Sequence, residues 1–193
     1  QESNAAIIRA AAGNYWAQGV DGLYLAHWFG NWPYQAQFYE KLRELPHPEI
    51  MAPKDKFYFV PTVTARYQKP DLEPGTTMQL PKDLKLNQPA KVEFTISDDL
   101  PRWNKAGRVH EVLLRFRVVD TTELDQLKFS LNGQPLPADR LRKINQMYKM
   151  NAPRYRVFSY WFVYSLDAGH WPRKGKNVVE VTITRRDPDV TPQ

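Results

Sequence analysis

The segment Asp98-Asp99-Leu100-Pro101-Arg102-Trp103-Asn104 sets two adjacent carboxylates beside a tryptophan. Carboxylate oxygens are the ligands Ca2+ takes, so a structural calcium ion is one chemistry this pair can support. The other is a grip on sugar hydroxyls while the Trp103 indole covers the apolar face of the ring. Neighbouring residues of a strand point to opposite faces, so Asp98 and Asp99 can serve one site only where the backbone turns. The plainer alternative is a turn in which both side chains bond nearby backbone. The spacing is not that of an EF-hand, and no other cofactor is expected.

Trp161 and Trp171, with His170 beside the latter, bracket a second aromatic region. Trp161 alternates with Phe162, so one of the two faces outward unless the strand is buried on both sides. An outward tryptophan is a platform for a pyranose; a covered one is simply core. Arg115, Arg117, Arg154, Arg156, Arg185 and Arg186 fall on strand-like stretches rather than in tails. Planar guanidinium groups match sulfate, phosphate or carboxylate in a two-bonded fork. Aligned across one sheet face, they would favour an acidic polysaccharide; scattered, they are solvated strand residues.

Other chemistries find no support. The chain has no cysteine, which excludes disulfides, thiolate metal sites and cysteine nucleophiles. It carries no phosphate-cradling glycine loop, no HExxH and no G-x-S-x-G. His27, His47, His110 and His170 are too scattered for metal-ligand spacing. A net charge of +6 favours anionic partners. Nucleic acid ranks last, because no RNA-binding motif interleaves aromatics with lysines. No apolar run is long enough to cross a bilayer. Six Trp, ten Tyr and nine Phe include core residues, and sugar clefts also need such flat apolar faces.

The elements that must hold these residues fall into two zones, 1–56 and 57–193. Ser3-Asn4 ahead of Ala5 to Ala12 is an N-cap followed by strong helix formers. The helix is expected to run to Ala17, with Ile7, Ile8, Ala11 and Tyr15 on its apolar side and Gly19 as its stop. Val20 to Ala26 reads as a short buried strand, and Tyr34 to Leu45 as a second helix ended by Pro46 and Pro48. From Phe57 onward the pattern becomes period two. Val92, Phe94 and Ile96 share a face, as do Val112, Leu114, Phe116 and Val118. Leu127, Phe129 and Leu131 precede Asn132-Gly133, a strong two-residue hairpin signal. Phe158 to Tyr164 and Val179 to Ile183 alternate likewise, with weaker stretches at Thr64–Tyr67 and Thr77–Leu80. Leu141 to Met150 reads equally as a loop or an irregular edge strand. The expected fold is mainly β: an antiparallel β-sandwich of jelly-roll type behind a helix-strand-helix segment.

Ala11 to Leu25 (AAGNYWAQGVDGLYL), the following aromatic loop and helix, and Lys54-Asp55-Lys56-Phe57-Tyr58 resemble the last units of bacterial glycoside-hydrolase-like (β/α)8 barrels. Leu127 to Gly133 and Gly175 to Val181 are similar to strand–turn phrases of the galactose-binding-like sandwich appended to such barrels. The resemblance implies that His27, Trp28 and Trp32, just past the final barrel strand, lined a sugar subsite, His27 bonding a hydroxyl. The alternative is that these aromatics pack against the sandwich.

A complete barrel takes about 250 residues, and earlier strands carry its two catalytic carboxylates. No catalytic residue is therefore expected in this chain, although the parent protein would be a glycoside hydrolase. The resulting expectation is a non-catalytic carbohydrate-binding or accessory module, extracellular or periplasmic, its leader removed or upstream of Gln1. Its partner would be a polysaccharide or oligosaccharide, anionic if the arginines align, with Trp28, Trp32, Trp103, Trp171, His27, Asp98 and Asp99 as contacts and no membrane involved. The alternatives are an inactive glycosidase fragment and a structural interaction domain. An orphan strand edge in the N-terminal segment would also favour self-association.

Overall fold

A computed structural model describes residues 5–24, 43–62, 79–145, 148–149, 156–157 and 159–189. It is mainly β, with two antiparallel sheets and a helix ahead of the strands. By packing, the chain divides into two compact units. The first draws on 1–61, 94–108 and 173–177; the second on 62–93, 109–172 and 178–193.

In the first unit, helix α1 (Ala5–Ala17) ends where expected, with Gly19 at φ +84°. Its buried face differs from the expected one. Ile8 and Ala12 enter a small core with Leu45 and Met51, and Trp16 and Leu23 pack against it. Ala11 and Tyr15 face out. At Gly13 the helix comes close to its neighbour: a Cβ there would stand 2.6 Å from Ser97 Oγ. Val20–Tyr24, the described part of the expected strand, is not a strand, and Tyr24 is exposed. A strand needs an adjacent strand to take its N–H and C=O groups, and none pairs with it among the described residues. Of the second helix, Arg43 and Glu44 are helical and Leu45-Pro46 turns, while 34–42 lie outside the described residues.

The strands are β1 (Ala90–Ile96), β2 (Leu113–Val119), β3 (Gln126–Leu131), β4 (Gln134–Pro135), β5 (Leu141–Asn145), β6 (Tyr148–Lys149), β7 (Arg156–Val157), β8 (Ser159–Ser165) and β9 (Gly175–Arg185). One sheet has the order β1-β9-β3-β4 and the other β2-β8-β5, while β6 and β7 pair antiparallel with each other. Asn132 and Gly133 both take positive φ (53° and 82°), the turn their types predict, and join β3 to β4. Asn132 also accepts from Val178 N–H at 3.0 Å and so ties the turn to β9. Leu141–Asn145, ambiguous in sequence, is an edge strand on β8.

The two sheets meet through aromatic rings. Phe129 of β3 is buried, with its centroid 4.9 Å from Phe116 of β2 and 5.1 Å and 5.6 Å from Phe162 and Tyr164 of β8. Leu131, Val179, Val181 and Ile183 line the same interior from β3 and β9. Burial pushes the Tyr164 phenol up to about 12. At the open edge, the Lys143 ammonium of β5 stands 5.9 Å and 5.5 Å from the rings of Tyr160 and Phe162.

Candidate functional site

Because Phe116, Phe162 and Tyr164 point into the sandwich, alternation sends Arg115, Arg117, Trp161 and Val163 to the opposite, outer face. The register then fixes who stands beside whom. Arg115 pairs with Val163, and Val163 with Arg142 of β5, giving one row across the sheet. Arg117 pairs with Trp161, and Trp161 with Ile144, giving the next row. Directly opposed residues on one face have Cβ atoms roughly 5 Å apart, so each row spans about 10 Å.

Arg115, Arg117, Arg142 and Ile144 are exposed, Trp161 is half-buried on the central strand, and Val163 is buried. A buried valine between two exposed arginines is the pattern produced when methylene stems lie over an apolar neighbour and the charged heads reach water. Leu113 and Val119 extend the face along β2. In the described outer-face positions of β2, β8 and β5 there is no acidic side chain. The face therefore combines an indole, flanking apolar surface and guanidinium donors, the set that stacks on a sugar ring and bonds its substituents.

Of the sequence-predicted residues, Asp98, Asp99, Trp103 and Trp171 are described. His27, Trp28 and Trp32 lie outside the described residues. Asp98 and Asp99 do not converge. Asp98 accepts from Lys56 Nζ at 2.8 Å and from the Tyr58 hydroxyl at 3.1 Å. Asp99 caps the short helix Leu100–Lys105, accepting from Arg102 N–H at 3.1 Å. The backbone does turn there, but each carboxylate has a separate internal task. Among the described residues no group of three or more His, Asp or Glu side chains could hold a metal ion.

Lys56 is saturated: its buried ammonium also donates to the carbonyls of Ala52 and Lys54 at 3.0 Å and 3.2 Å. Since Tyr58 donates its one proton to Asp98, Ser97 Oγ donates to the Tyr58 oxygen at 2.8 Å. Burial first, and then the Asp98 charge, hold the Tyr58 phenol well above its ordinary range.

Trp103 is half-buried, with the Arg102 guanidinium 5.5 Å from its ring centroid. Trp171 is also half-buried, and its indole N–H donates to Leu166 O at 2.9 Å. Beside it, His170 Nδ1 lies 2.8 Å from Asp167, whose carboxyl is lowered first by that hydrogen bond. These tryptophans thus belong to separate local clusters.

Sequence reasoning missed two features. Arg142 lay in the ambiguous stretch, and only its pairing with β8 gives it a face. Phe57 and Phe59 are exposed and nearly parallel, 6.5 Å apart and 18° from coplanar orientation. Their alternation with Tyr58 was the available signal. No protein-family model matches the chain, and no curated protein matches it significantly.

Proposed function

We propose that this chain is a non-catalytic carbohydrate-binding accessory module of a glycoside-hydrolase-like protein, working outside the cytoplasm. The observation that carries the reading is the outer face of β2-β8-β5. There Trp161 stands on the central strand between Arg117 and Ile144, beside the row Arg115–Val163–Arg142. A rigid sheet holds these groups in fixed relation, so a glycan meets a prepared surface and little ordering opposes binding.

Among the described carboxylates, Glu44 pairs with Arg9 and Lys54, Asp98 with Lys56, and Asp125 and Asp187 accept backbone N–H groups. Affinity electrophoresis of the full chain through gels containing single polysaccharides tests the reading. Retardation by at least one glycan, lost in Trp161→Ala with unchanged circular dichroism, supports it. Free migration through every glycan overturns it.

A second reading, a structural interaction domain or the remnant of a barrel, has its own observation. Tyr15, Tyr24, Ile50, Phe57 and Phe59 of the first unit are all exposed. Of these, Phe57 and Phe59 lie side by side, and exposed apolar residues that form one patch are a common mark of contact surfaces. Sedimentation velocity separates the readings: self-association abolished by Phe57→Ser/Phe59→Ser favours the contact role.

A further inference from the structure

We infer that the glycan taken by the outer face of β2-β8-β5 is a polyanion, a chain of sulfated or uronic sugars, which Arg115 and Arg142 grip on either side of the central strand. The inference rests on the carbohydrate-binding reading and adds the chemical class of the ligand. Three observations carry it. First, the register sets Arg115 and Arg142 in one row with Val163 between them, and places Arg117 beside Trp161 in the next. Second, Arg115 and Arg142 are exposed, so their forks are presented to solvent. Third, the described outer-face positions of these strands hold no carboxylate beside Arg115 or Arg142.

A neutral sugar needs only an aromatic face and a few hydrogen-bond partners. Guanidinium groups about 10 Å apart across a sheet instead match anionic groups recurring along a polymer. Trp161, in the row beside Arg115–Val163–Arg142, excludes water from one side and gives the chain a ring to lie on. Nucleic acid would also answer to the charge. It would, however, need several bases to stack, and this face offers one indole.

The test uses the full chain in gels or on resins carrying chondroitin sulfate, polygalacturonate, a neutral xylan or single-stranded DNA, at low and physiological salt. The expected result is retention on one or both acidic glycans, weakening as salt rises because exposed charges are screened. Retention on the sulfated polymer alone, or on the uronate alone, identifies which anion the forks prefer. Arg115→Gln/Arg142→Gln should weaken binding by about tenfold per arginine. Arg115→Lys/Arg142→Lys, which keeps charge but not the fork, should fall between. Lys128→Gln/Lys176→Gln removes the same charge from exposed positions of the other sheet and should change binding less than threefold.

Equal loss in the lysine pair would mean that net charge alone binds, and would overturn the inference. DNA retained as strongly as the glycans would overturn it too. Retention on neutral xylan alone would sink the polyanion claim while leaving the carbohydrate-binding reading intact. Retention on nothing would sink both.

Discussion

Gly13→Ala tests the packing of the first unit because two local effects oppose each other there. In the middle of an α-helix, replacing glycine by alanine usually stabilises by about 1 kcal/mol. At position 13 the new Cβ would stand 2.6 Å from Ser97 Oγ and 3.6 Å from Ser97 Cβ. Only the hydroxyl obstructs, but it cannot simply turn away, being bonded to Tyr58 at 2.8 Å. Losing that bond costs about 1 kcal/mol, and overpacking a filled contact adds about 1–3 kcal/mol. Net destabilisation of about 1–3 kcal/mol is expected. In a Ser97→Ala background the obstruction is gone and the remaining contact is ordinary, so the same substitution should stabilise by about 0.5–1 kcal/mol. Urea unfolding of the four proteins in this cycle reads the coupling. With a slope of roughly 2 kcal/mol per M, the midpoint should fall by about 0.5–1.5 M in the first background and rise in the second. A rise in both would refute the close approach of α1 to Ser97.

Further outcomes follow from the sandwich and the ion pairs. Phe129→Ala removes the ring that touches Phe116, Phe162 and Tyr164, and should cost about 3–5 kcal/mol by urea unfolding. Leu124→Ala, at an exposed position, should cost less than about 0.5 kcal/mol. Asp125→Ala strands the N–H groups of Thr122 and Asp187, which the buried carboxylate accepts at 2.8 Å and 2.9 Å. A loss of about 2–4 kcal/mol is expected. Glu44 is held below the usual carboxylate range by its hydrogen bond from Arg9 first, against burial, with Lys54 adding to the effect. Its contribution should be complete above the unfolded glutamate pKa of about 4.3 and vanish as pH falls through the depressed value. Glu44→Gln should flatten that acid limb, as read by thermal unfolding from pH 7 down to pH 3.

Most of the sandwich was legible because burial on one face leaves a period-two trace. β1, β2, β3, β8 and β9 each carry it, and Asn132-Gly133 marks its own turn. Helix α1 was legible in extent but not in facing: Tyr15 looked like an anchor, whereas the helix buries Ile8, Ala10, Ala12 and Gly13. The site was the least legible part. Asp98 and Asp99 attract attention as a pair, yet the partners of Asp98 lie some 40 residues earlier at Lys56 and Tyr58. The arginines could be found in sequence, but their alignment depends on the registers of β2 and β5 against β8. A short turn can fix the register of neighbouring strands, but β2, β5 and β8 are not joined by one, so no strand alone records how they align.

The most direct test of the outer face as the glycan contact is amide chemical-shift mapping. The labelled full chain would be titrated with the acidic oligosaccharide that the gels select. Shifts confined to Arg115–Arg117, Trp161–Val163 and Arg142–Ile144 would bear out the account. Shifts centred instead on Phe57–Phe59, or on Trp103 and Trp171, with this face unmoved, would contradict it.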